Sequence, residues 1–285
     1  MTYLRRKIDA FLEQWKSDSG KKPLIVKGSR QVGKTESIRR FGFANYDSVI
    51  EINFVEEPKY KSIIEDGYSA ASIVRNISLL DPAKRFVEGK TLLFFDELQE
   101  FPEIATALKF FKQDARFDVI CSGSMLGINY QRIESNSVGH KTDFEMRSLD
   151  FEEFLWAKGY DDSIVDEMLT HLIEARPFTN VQHKALMDVF LDYCALGGMP
   201  DVVRSYIDRN TFEGSLQTQR QLVLDYREDI QKYAEGLDKG RILNVFNHIP
   251  AQLAKENKKF QMSKVAKNAR FKDYNGCVEW LEMAG

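Results

Sequence analysis

The stretch GSRQVGKTE, residues 28–36, sets glycines, a lysine and a threonine in the order G-x-x-x-x-G-K-T. The apolar run PLIV precedes it, and a segment of helical character follows. This context is typical of a loop whose backbone amides curl around phosphate oxygens, next to the positive end of a helix dipole. Lys34 is predicted to reach the β- and γ-phosphates of a nucleotide, and Thr35 to offer its hydroxyl to Mg²⁺. An ordinary glycine-containing turn explains the pattern less well, because it needs neither the lysine nor the threonine.

The whole loop is expected to contact the nucleotide, largely through its backbone. Glycines let the chain curl so that successive amide groups can point at phosphate oxygens. The residues predicted to make these contacts are Gly28, Ser29, Arg30, Gln31, Val32, Gly33, Lys34, Thr35 and Glu36.

An acidic motif ends the apolar run TLLFFDE, whose last two residues are Asp96 and Glu97. An acidic residue at the tip of a buried strand near a phosphate loop can hold the water shell of Mg²⁺. Asp96 is therefore predicted to serve the metal together with Thr35. Glu97 is predicted to orient and polarise an attacking water as a general base. The alternative is a strand end capped by two solvated acids.

The run DVICSGS, residues 118–124, indicates a further strand that ends in small polar residues. In phosphate-loop ATPases with an inserted central strand, such a strand lies between the two nucleotide motifs. Ser122 is predicted to face the γ-phosphate, with Ser124 as the second choice, although either serine could be ordinary turn chemistry. The predicted catalytic residues are thus Lys34, Glu97 and Ser122.

The elements that must position these residues alternate along the first 160 residues. Short β-rich runs alternate with segments long enough to be crossover helices, which predicts an α/β domain with a largely parallel sheet. Helical runs follow one another from about residue 151, and the turn GGMP interrupts them at residues 197–200. From about residue 238 the chain becomes basic, with three short helical runs, of which MSKVAKNA is the second. The strand candidates are PLIVKG, SVIEINF, TLLFFDE, DVICSGS and TDFEMRSLDF.

Composition limits the class of protein. A chain of 285 residues with a formal net charge of −3 is expected to form two domains and not to coat nucleic acid. No apolar run is long enough to span a membrane, and the charged N-terminus lacks the apolar segment of a signal peptide, so we expect a cytoplasmic protein. The four histidines show no metal-binding spacing. Three distant cysteines are predicted to be reduced core thiols, namely Cys121, Cys194 and Cys277.

Five motifs in a fixed order resemble those of the bacterial and archaeal AAA-type ATPases that carry a C-terminal domain with a nuclease-like fold. They are KPLIVKGSRQVGKT, LLFFDELQEFPEI, VICSGSM, LDFEEFLWAKG and GGMPDVV. The resemblance, which covers about residues 10–285, implies a P-loop NTPase core of the AAA+ type with sheet order 5-1-4-3-2. It also implies ATP and Mg²⁺ as ligands, a helical lid and a winged helix. In related STAND-type signalling ATPases a Gly-x-Pro turn approaches the nucleotide, and Gly198 and Pro200 match that turn, which adds Pro200 to the predicted contacts.

The same resemblance divides the chain into three parts. We expect an ATPase core over residues 1–160, a helical lid over 161–237 and a winged-helix-like segment over 238–285. The last segment stops at VEWLEMAG, where the strands of a wing would follow. The winged helix is therefore expected to be partial and the chain truncated.

The chain departs from its relatives at the start of the fifth strand. Many relatives have an arginine after a glycine there, whereas this chain has Gly139 followed by His140 and Lys141. Arginine fingers contribute large rate factors in phosphoryl transfer, so a replacement would matter. Arg132 and Arg147 are the two candidates, and a plain surface salt bridge is the favoured alternative.

The C-terminal segment offers a mild attraction for nucleic acid. Residues 232–285 carry ten Lys and Arg against six Asp and Glu. The helix expected to enter a DNA groove contains Glu279 and Glu282 and no basic residue, so base recognition is predicted to be poor. Non-specific DNA contacts and a packing or protein-interaction role both stay open.

Three functions fit these observations. The first is a Mg²⁺-dependent ATPase, able to form oligomers, that couples nucleotide state to movement of the lid and winged helix. The second is a slow nucleotide-dependent switch that binds a protein or DNA partner. A phosphate-loop kinase is weaker, because Asp96 and Glu97 suit water activation and no acceptor-binding signature is present.

Overall fold

The protein is described by a computed structural model that covers residues 2–124, 137, 139–234, 236–266 and 270–284. All strand pairs in its sheet are parallel, and the strand order is β2-β3-β4-β1-β5. Read from the other edge, this is the expected order 5-1-4-3-2, so the α/β fold with a parallel P-loop-type sheet is confirmed. The strands are β1 (Leu24–Lys27), β2 (Ser48–Asn53), β3 (Thr91–Asp96), β4 (Asp118–Gly123) and β5 (Thr142–Glu145).

Helices cover the sheet and make up most of the described chain after β5. The first group is α1 (Lys7–Ser17), α2 (Lys34–Asn45), α3 (Ala70–Leu80), α4 (Leu108–Asp114) and α5 (Phe151–Ala157). The second group is α6 (Asp162–Ile173), α7 (Asn180–Leu196), α8 (Pro200–Arg209), α9 (Ser215–Tyr233), α10 (Lys239–Leu253) and α11 (Phe271–Ala284). None of the helices in the described ranges is long and apolar enough to cross a membrane.

The chain forms two compact units, Met1–Leu216 and Gln217–Gly285. The first contains the sheet and helices α1 to α8, and the second contains most of α9 together with α10 and α11. The division into residues 1–160, 161–237 and 238–285 stays a prediction.

The core of the first unit lies on both faces of the sheet. Every residue of β3 is buried, and its side chains alternate between two apolar clusters because successive residues of a strand face opposite sides. Leu93 and Phe95 lie in one cluster, and Leu92 and Phe94 lie in the other. Apolar residues on both faces are typical of a parallel strand covered by helices. Because β3 is packed on both faces, its position is fixed, and so is the position of Asp96, its last residue.

Strand β5 is shorter than the predicted run TDFEMRSLDF. It ends at Glu145, and the backbone of residues 146–149, which leads to α5, makes one more hydrogen bond to β1 and one to the turn before α8. The amide of Met146 donates to the carbonyl of Lys27 at 2.7 Å, and that of Leu149 donates to the carbonyl of Gly198, also at 2.7 Å. Asp150 then caps α5 by accepting from the amide of Glu153.

Helix α8 has no counterpart among the predicted helices. Pro200 occupies its first turn, where proline is favoured because its missing N–H is not needed there. Val202, Val203 and Tyr206 bury one face of the helix. The proline that we interpreted only as part of a turn therefore also begins a helix.

Two further expectations are wrong. Cys121 and Cys277 are buried, but Cys194 is exposed, because it lies off the line of Val189 and Leu196 that α7 buries. In the second unit, the run MSKVAKNA contains only a short 3₁₀ turn, Met262–Lys264, and its residues 267–269 lie outside the described ranges. Among residues 262–266, which the structure describes, Val265 alone is buried, so these residues offer no continuous apolar face to a longer helix.

Candidate nucleotide-binding site

The predicted motifs meet at the carboxyl ends of three adjacent strands. Strand β4 pairs with β1 on one side and with β3 on the other. The loop of residues 28–33, here called the phosphate loop, leaves β1 and leads into α2 at Lys34. Because the strands are parallel, the loop, Asp96 at the end of β3 and Ser122 near the end of β4 come to one edge of the sheet. Ligands of open α/β sheets bind at this edge.

Glycines at both ends allow the phosphate loop to adopt its shape. Gly33 has a left-handed backbone with φ of 95° and is the N-cap of α2, a conformation that costs a residue with a side chain more than glycine. At Gly28 a Cβ atom would lie 2.0 Å from the carbonyl oxygen of Met146. The loop therefore passes so close to the backbone of residues 146–149 that only glycine fits at this point.

Lys34 is a buried cation at the start of α2, with a relative exposure of 8%. Its Nζ donates to the carbonyls of Gly28 at 2.9 Å and Ser29 at 2.7 Å. Burial lowers the pKa of Lys34 to about 8, and the nearby carboxylates of Glu97 and Asp96 oppose this shift. A desolvated ammonium group whose hydrogen bonds go to neutral carbonyls would gain from an anionic ligand.

Asp96 connects three of the predicted positions. Its Oδ2 accepts from the Thr35 hydroxyl at 3.1 Å, and its Oδ1 accepts from the Ser122 hydroxyl and from the Glu97 amide, the latter at 3.0 Å. Burial raises the pKa of Asp96, with the Glu97 carboxylate adding to the shift and the hydrogen bonds from Ser122 and Thr35 opposing it. The Asp96 carboxylate thus contacts both Thr35, the other predicted metal residue, and Ser122, the predicted sensing residue.

Glu97 has a left-handed backbone, with φ of 57° and ψ of 48°. Such a conformation is uncommon for a residue with a side chain and is found at functional sites. The side-chain amide of Gln99 donates to the Glu97 carboxylate and lies 3.4 Å from the hydroxyl of Ser124. Gln99 was not among the predicted site residues, although its position two residues after Glu97 could have indicated it.

The predicted contacts Glu36 and Pro200 lie beside the loop on the side of α8. A Cβ atom on Gly33 would be 3.9 Å from Cγ of Pro200. The carboxylate of Glu36 accepts from Arg204 of α8 at 3.0 Å. The Glu36 side chain therefore joins α2 to α8, and Arg204 is a second residue that the sequence reasoning missed.

The candidates for an arginine finger give no support to that role. Arg147 is 79% exposed and forms an ion pair with Glu145 at 3.1 Å, which is the surface salt bridge favoured from the sequence. Arg132 lies outside the described residues.

Gly198, like Gly28, lies very close to the backbone of residues 146–149. A Cβ atom there would lie 2.0 Å from the carbonyl oxygen of Leu149 and within 3.0 Å of two further backbone atoms. We expect Gly198→Ala to lower the free energy of unfolding by about 1–3 kcal/mol, because the backbone must move apart. Urea unfolding measures this. Gly276→Ala is the control, since its Cβ would meet only Leu237 at 3.7 Å. Equal stability of the two variants would contradict the prediction.

The donor set fits Mg²⁺ bound together with a phosphate ligand. Asp96 supplies a carboxylate and Thr35 a hydroxyl, the hard oxygen donors that Mg²⁺ prefers. Within the described ranges, no group of three or more His, Cys, Asp and Glu side chains could hold a metal ion by itself. Mg²⁺ typically keeps waters and shares one or two protein ligands with substrate phosphates, so two protein donors are sufficient.

Comparison with known protein families agrees with this geometry. Residues 20–155 match an AAA domain. This AAA segment contains the phosphate loop, Asp96, Glu97 and Ser122, and the match supports a nucleotide-binding P-loop ATPase. Residues 187–285 match a domain of unknown function (DUF8612). No curated protein matches the chain.

Solved structures similar to the chain include three at low identity. Drosophila ORC bound to DNA is 13% identical with a TM-score of 0.41, over 96% of this chain and 79% of that one. The Aeropyrum pernix ORC1 protein in complex with DNA is 12% identical with a TM-score of 0.35, over 98% and 82%. C. elegans PCH-2 is 11% identical with a TM-score of 0.32, over 97% and 65%. Similarity at this level does not show that this chain binds DNA or shares the activity of those proteins.

Proposed function

We propose that this chain binds ATP with Mg²⁺ at the carboxyl ends of β1, β3 and β4 and hydrolyses it to ADP and phosphate. The observation that carries the proposal is the Thr35 hydroxyl 3.1 Å from the Asp96 carboxylate, beside a buried Lys34. The AAA match over residues 20–155 supports a nucleotide ligand. The preference for adenine follows from the family resemblance.

Binding is assigned to the phosphate loop and the residues after it. Backbone amides of residues 28–36 would donate to phosphate oxygens, with the N-terminus of α2 adding its dipole. Lys34 would exchange its carbonyl partners for β- and γ-phosphate oxygens. Thr35 and Asp96 would hold Mg²⁺, which when bound neutralises part of the phosphate charge.

Hydrolysis is assigned to the carboxylate of Glu97. It would orient a water and take its proton as the water oxygen bonds to the γ-phosphorus. The bond between that phosphorus and the bridging oxygen breaks, and ADP leaves with the bonding electrons. Ser122, with Ser124 as the second choice, would donate to a γ-phosphate oxygen. Because Ser122 donates to Asp96 in this structure, its hydroxyl would have to turn for that contact.

A slow switch is the second candidate function. Gln99 holds the Glu97 carboxylate, and water activation would require this hydrogen bond to be given up or shared. The contact between Arg204 and Glu36 would also let α8 respond to a ligand beside α2. In this case the bound nucleotide would change the conformation of the lid, residues 161–237, and of the C-terminal segment, residues 238–285. A protein or DNA partner would recognise this change. Steady-state turnover distinguishes the two functions.

The role of Asp96 in holding Mg²⁺ gives a direct test of the proposed function. We expect Asp96→Asn to weaken the Mg²⁺-dependent part of ATP affinity by about 10- to 100-fold, because a neutral amide holds the ion and its waters poorly. Titration calorimetry with ATP in Mg²⁺ and in EDTA measures this part.

Asp118→Asn is the matched control for this titration. Asp118 begins β4 at the opposite edge of the sheet and accepts from Tyr46 at 2.7 Å. An Asp96→Asn protein that keeps the full effect of Mg²⁺ on ATP affinity would refute this assignment.

A further inference from the structure

Arg6 is a buried charge that the nucleotide chemistry above does not use. It lies just before α1 and is 5% exposed. Its Nη1 donates to the carbonyl of Val32, in the phosphate loop, at 2.7 Å, and its Nη2 donates to the carbonyl of Arg147 at 2.5 Å. Its Nε lies 3.1 Å from Oε1 of Glu153. One planar guanidinium group thus connects the loop, the backbone of residues 146–149 and α5.

The acceptor on the loop belongs to the peptide that joins Val32 to Gly33. A trans peptide is planar, so its C=O and N–H groups point in opposite directions. Fixing the carbonyl of Val32 against Arg6 therefore fixes the direction of the Gly33 N–H. A charged donor on the carbonyl also polarises the peptide and makes its N–H a stronger donor.

Arg6 is itself held firmly. Glu153 is 5% exposed, and in addition to its ion pair with Arg6 it accepts from the amide of Lys7 at 2.7 Å and from that of Asp150 at 3.2 Å. A buried ion pair with its remaining oxygens satisfied by backbone amides has little freedom to move. The guanidinium can therefore impose its geometry on the loop.

The same contacts reach the turn before α8. The backbone of residues 146–149 accepts from Arg6, touches Gly28 and donates to Gly198. The close backbone approaches of Gly28 and Gly198 are thus both made to the segment that Arg6 anchors. A displacement of Arg6 would disturb the loop and this turn together.

We propose that Arg6 is a positioning residue of the nucleotide site, which aims and polarises the Gly33 amide for a phosphate oxygen. Glu153 keeps Arg6 in place for this task. The inference rests on the proposed function, since it assigns Arg6 a role in binding the phosphates of that nucleotide.

The test compares MgATP affinity in variants of two adjacent arginines. We expect Arg6→Gln to weaken MgATP binding by about 10- to 100-fold, the range for loss of a charged hydrogen bond. Arg6→Lys keeps the charge but not the three-way fork, so it should also bind at least about tenfold more weakly. Arg5→Ala is the matched control. It removes an ion pair with Asp162 and a cation–π contact with Trp156, both of which lie away from the loop, and its affinity should stay at the wild-type value.

A merely structural role of Arg6 has a different signature. It would lower the melting temperature of the ligand-free variants while leaving MgATP affinity unchanged at temperatures where they are folded. Wild-type affinity in Arg6→Lys, or in Arg6→Gln, would overturn the proposal, and Arg6→Lys decides it if Arg6→Gln fails to fold. Absence of MgATP binding by the folded wild-type protein would instead overturn the proposed function.

Discussion

Replacing Glu97 with glutamine is expected to slow phosphate release from MgATP by about 10²- to 10⁴-fold. Glutamine keeps the size of the side chain but cannot accept a proton from water at neutral pH. Because Glu97 is assigned to the attacking water and not to a phosphate oxygen or to Mg²⁺, MgATP affinity should change little. A steady-state phosphate-release assay together with equilibrium binding separates the two effects.

Glu103→Gln is the matched control for that experiment. Glu103 is an exposed acid six residues further along the chain, in the 3₁₀ helix Pro102–Ala107, and its replacement should leave turnover unchanged. Turnover by Glu97→Gln at the wild-type rate would exclude Glu97 as the residue that activates water. Tight MgATP binding with no turnover in any of these proteins would favour the switch.

Replacing Lys34 with methionine is expected to weaken MgATP binding at least about 100-fold. The ammonium group would make charge-assisted hydrogen bonds to two phosphates, and each such bond contributes about 1.5–3 kcal/mol. Methionine keeps the aliphatic stem and removes the charge. Because burial penalises that charge in the free protein, we expect the melting temperature without nucleotide to stay equal or rise. Titration calorimetry measures the loss of MgATP affinity, and thermal melting without nucleotide measures the change in stability.

The pH dependence of binding provides a second measurement on Lys34. Its pKa is lowered to about 8 in the ligand-free protein, and bound phosphates would raise it. Binding then takes up a proton above pH 8, so MgATP affinity should fall there, approaching tenfold per pH unit. The MgATP affinity of the Lys34→Met protein should not show this fall above pH 8. An affinity of the wild type that stays constant up to pH 9.5, or a melting temperature of Lys34→Met well below that of the wild type, would contradict this account.

The phosphate loop and the strand ends could be predicted because their signals are local. Alternation of apolar runs with helical segments indicates parallel strands, and the ends of such strands meet at one edge. This was sufficient to bring Lys34, Asp96 and Ser122 together. The order of the strands, by contrast, came from the family resemblance, since the pattern of one strand does not say which strands it pairs with.

Residues whose role depends on distant parts of the chain could not be predicted. Arg6 stands in LRRKIDAF, a charged stretch typical of a surface helix, yet it is buried, and its guanidinium group contacts residues 26, 141 and 147 positions away. Glu153 stands in a strongly acidic run, a pattern typical of a solvated helix face, yet it is buried against Arg6. Strand β5 ends before the predicted run does, and the amide of Leu149 pairs with the carbonyl of Gly198, 49 positions away, and not with a strand.

The central claim is that the loop over residues 28–36 binds ATP with Mg²⁺. The most direct measurement is titration calorimetry of the wild-type chain with ATP, once with Mg²⁺ and once with EDTA, after circular dichroism has shown that the protein is folded. We predict saturable binding at one site per chain, tighter with Mg²⁺ and abolished in Lys34→Met. Absence of ATP binding by the folded protein under both conditions, or equal binding by Lys34→Met, would contradict the claim.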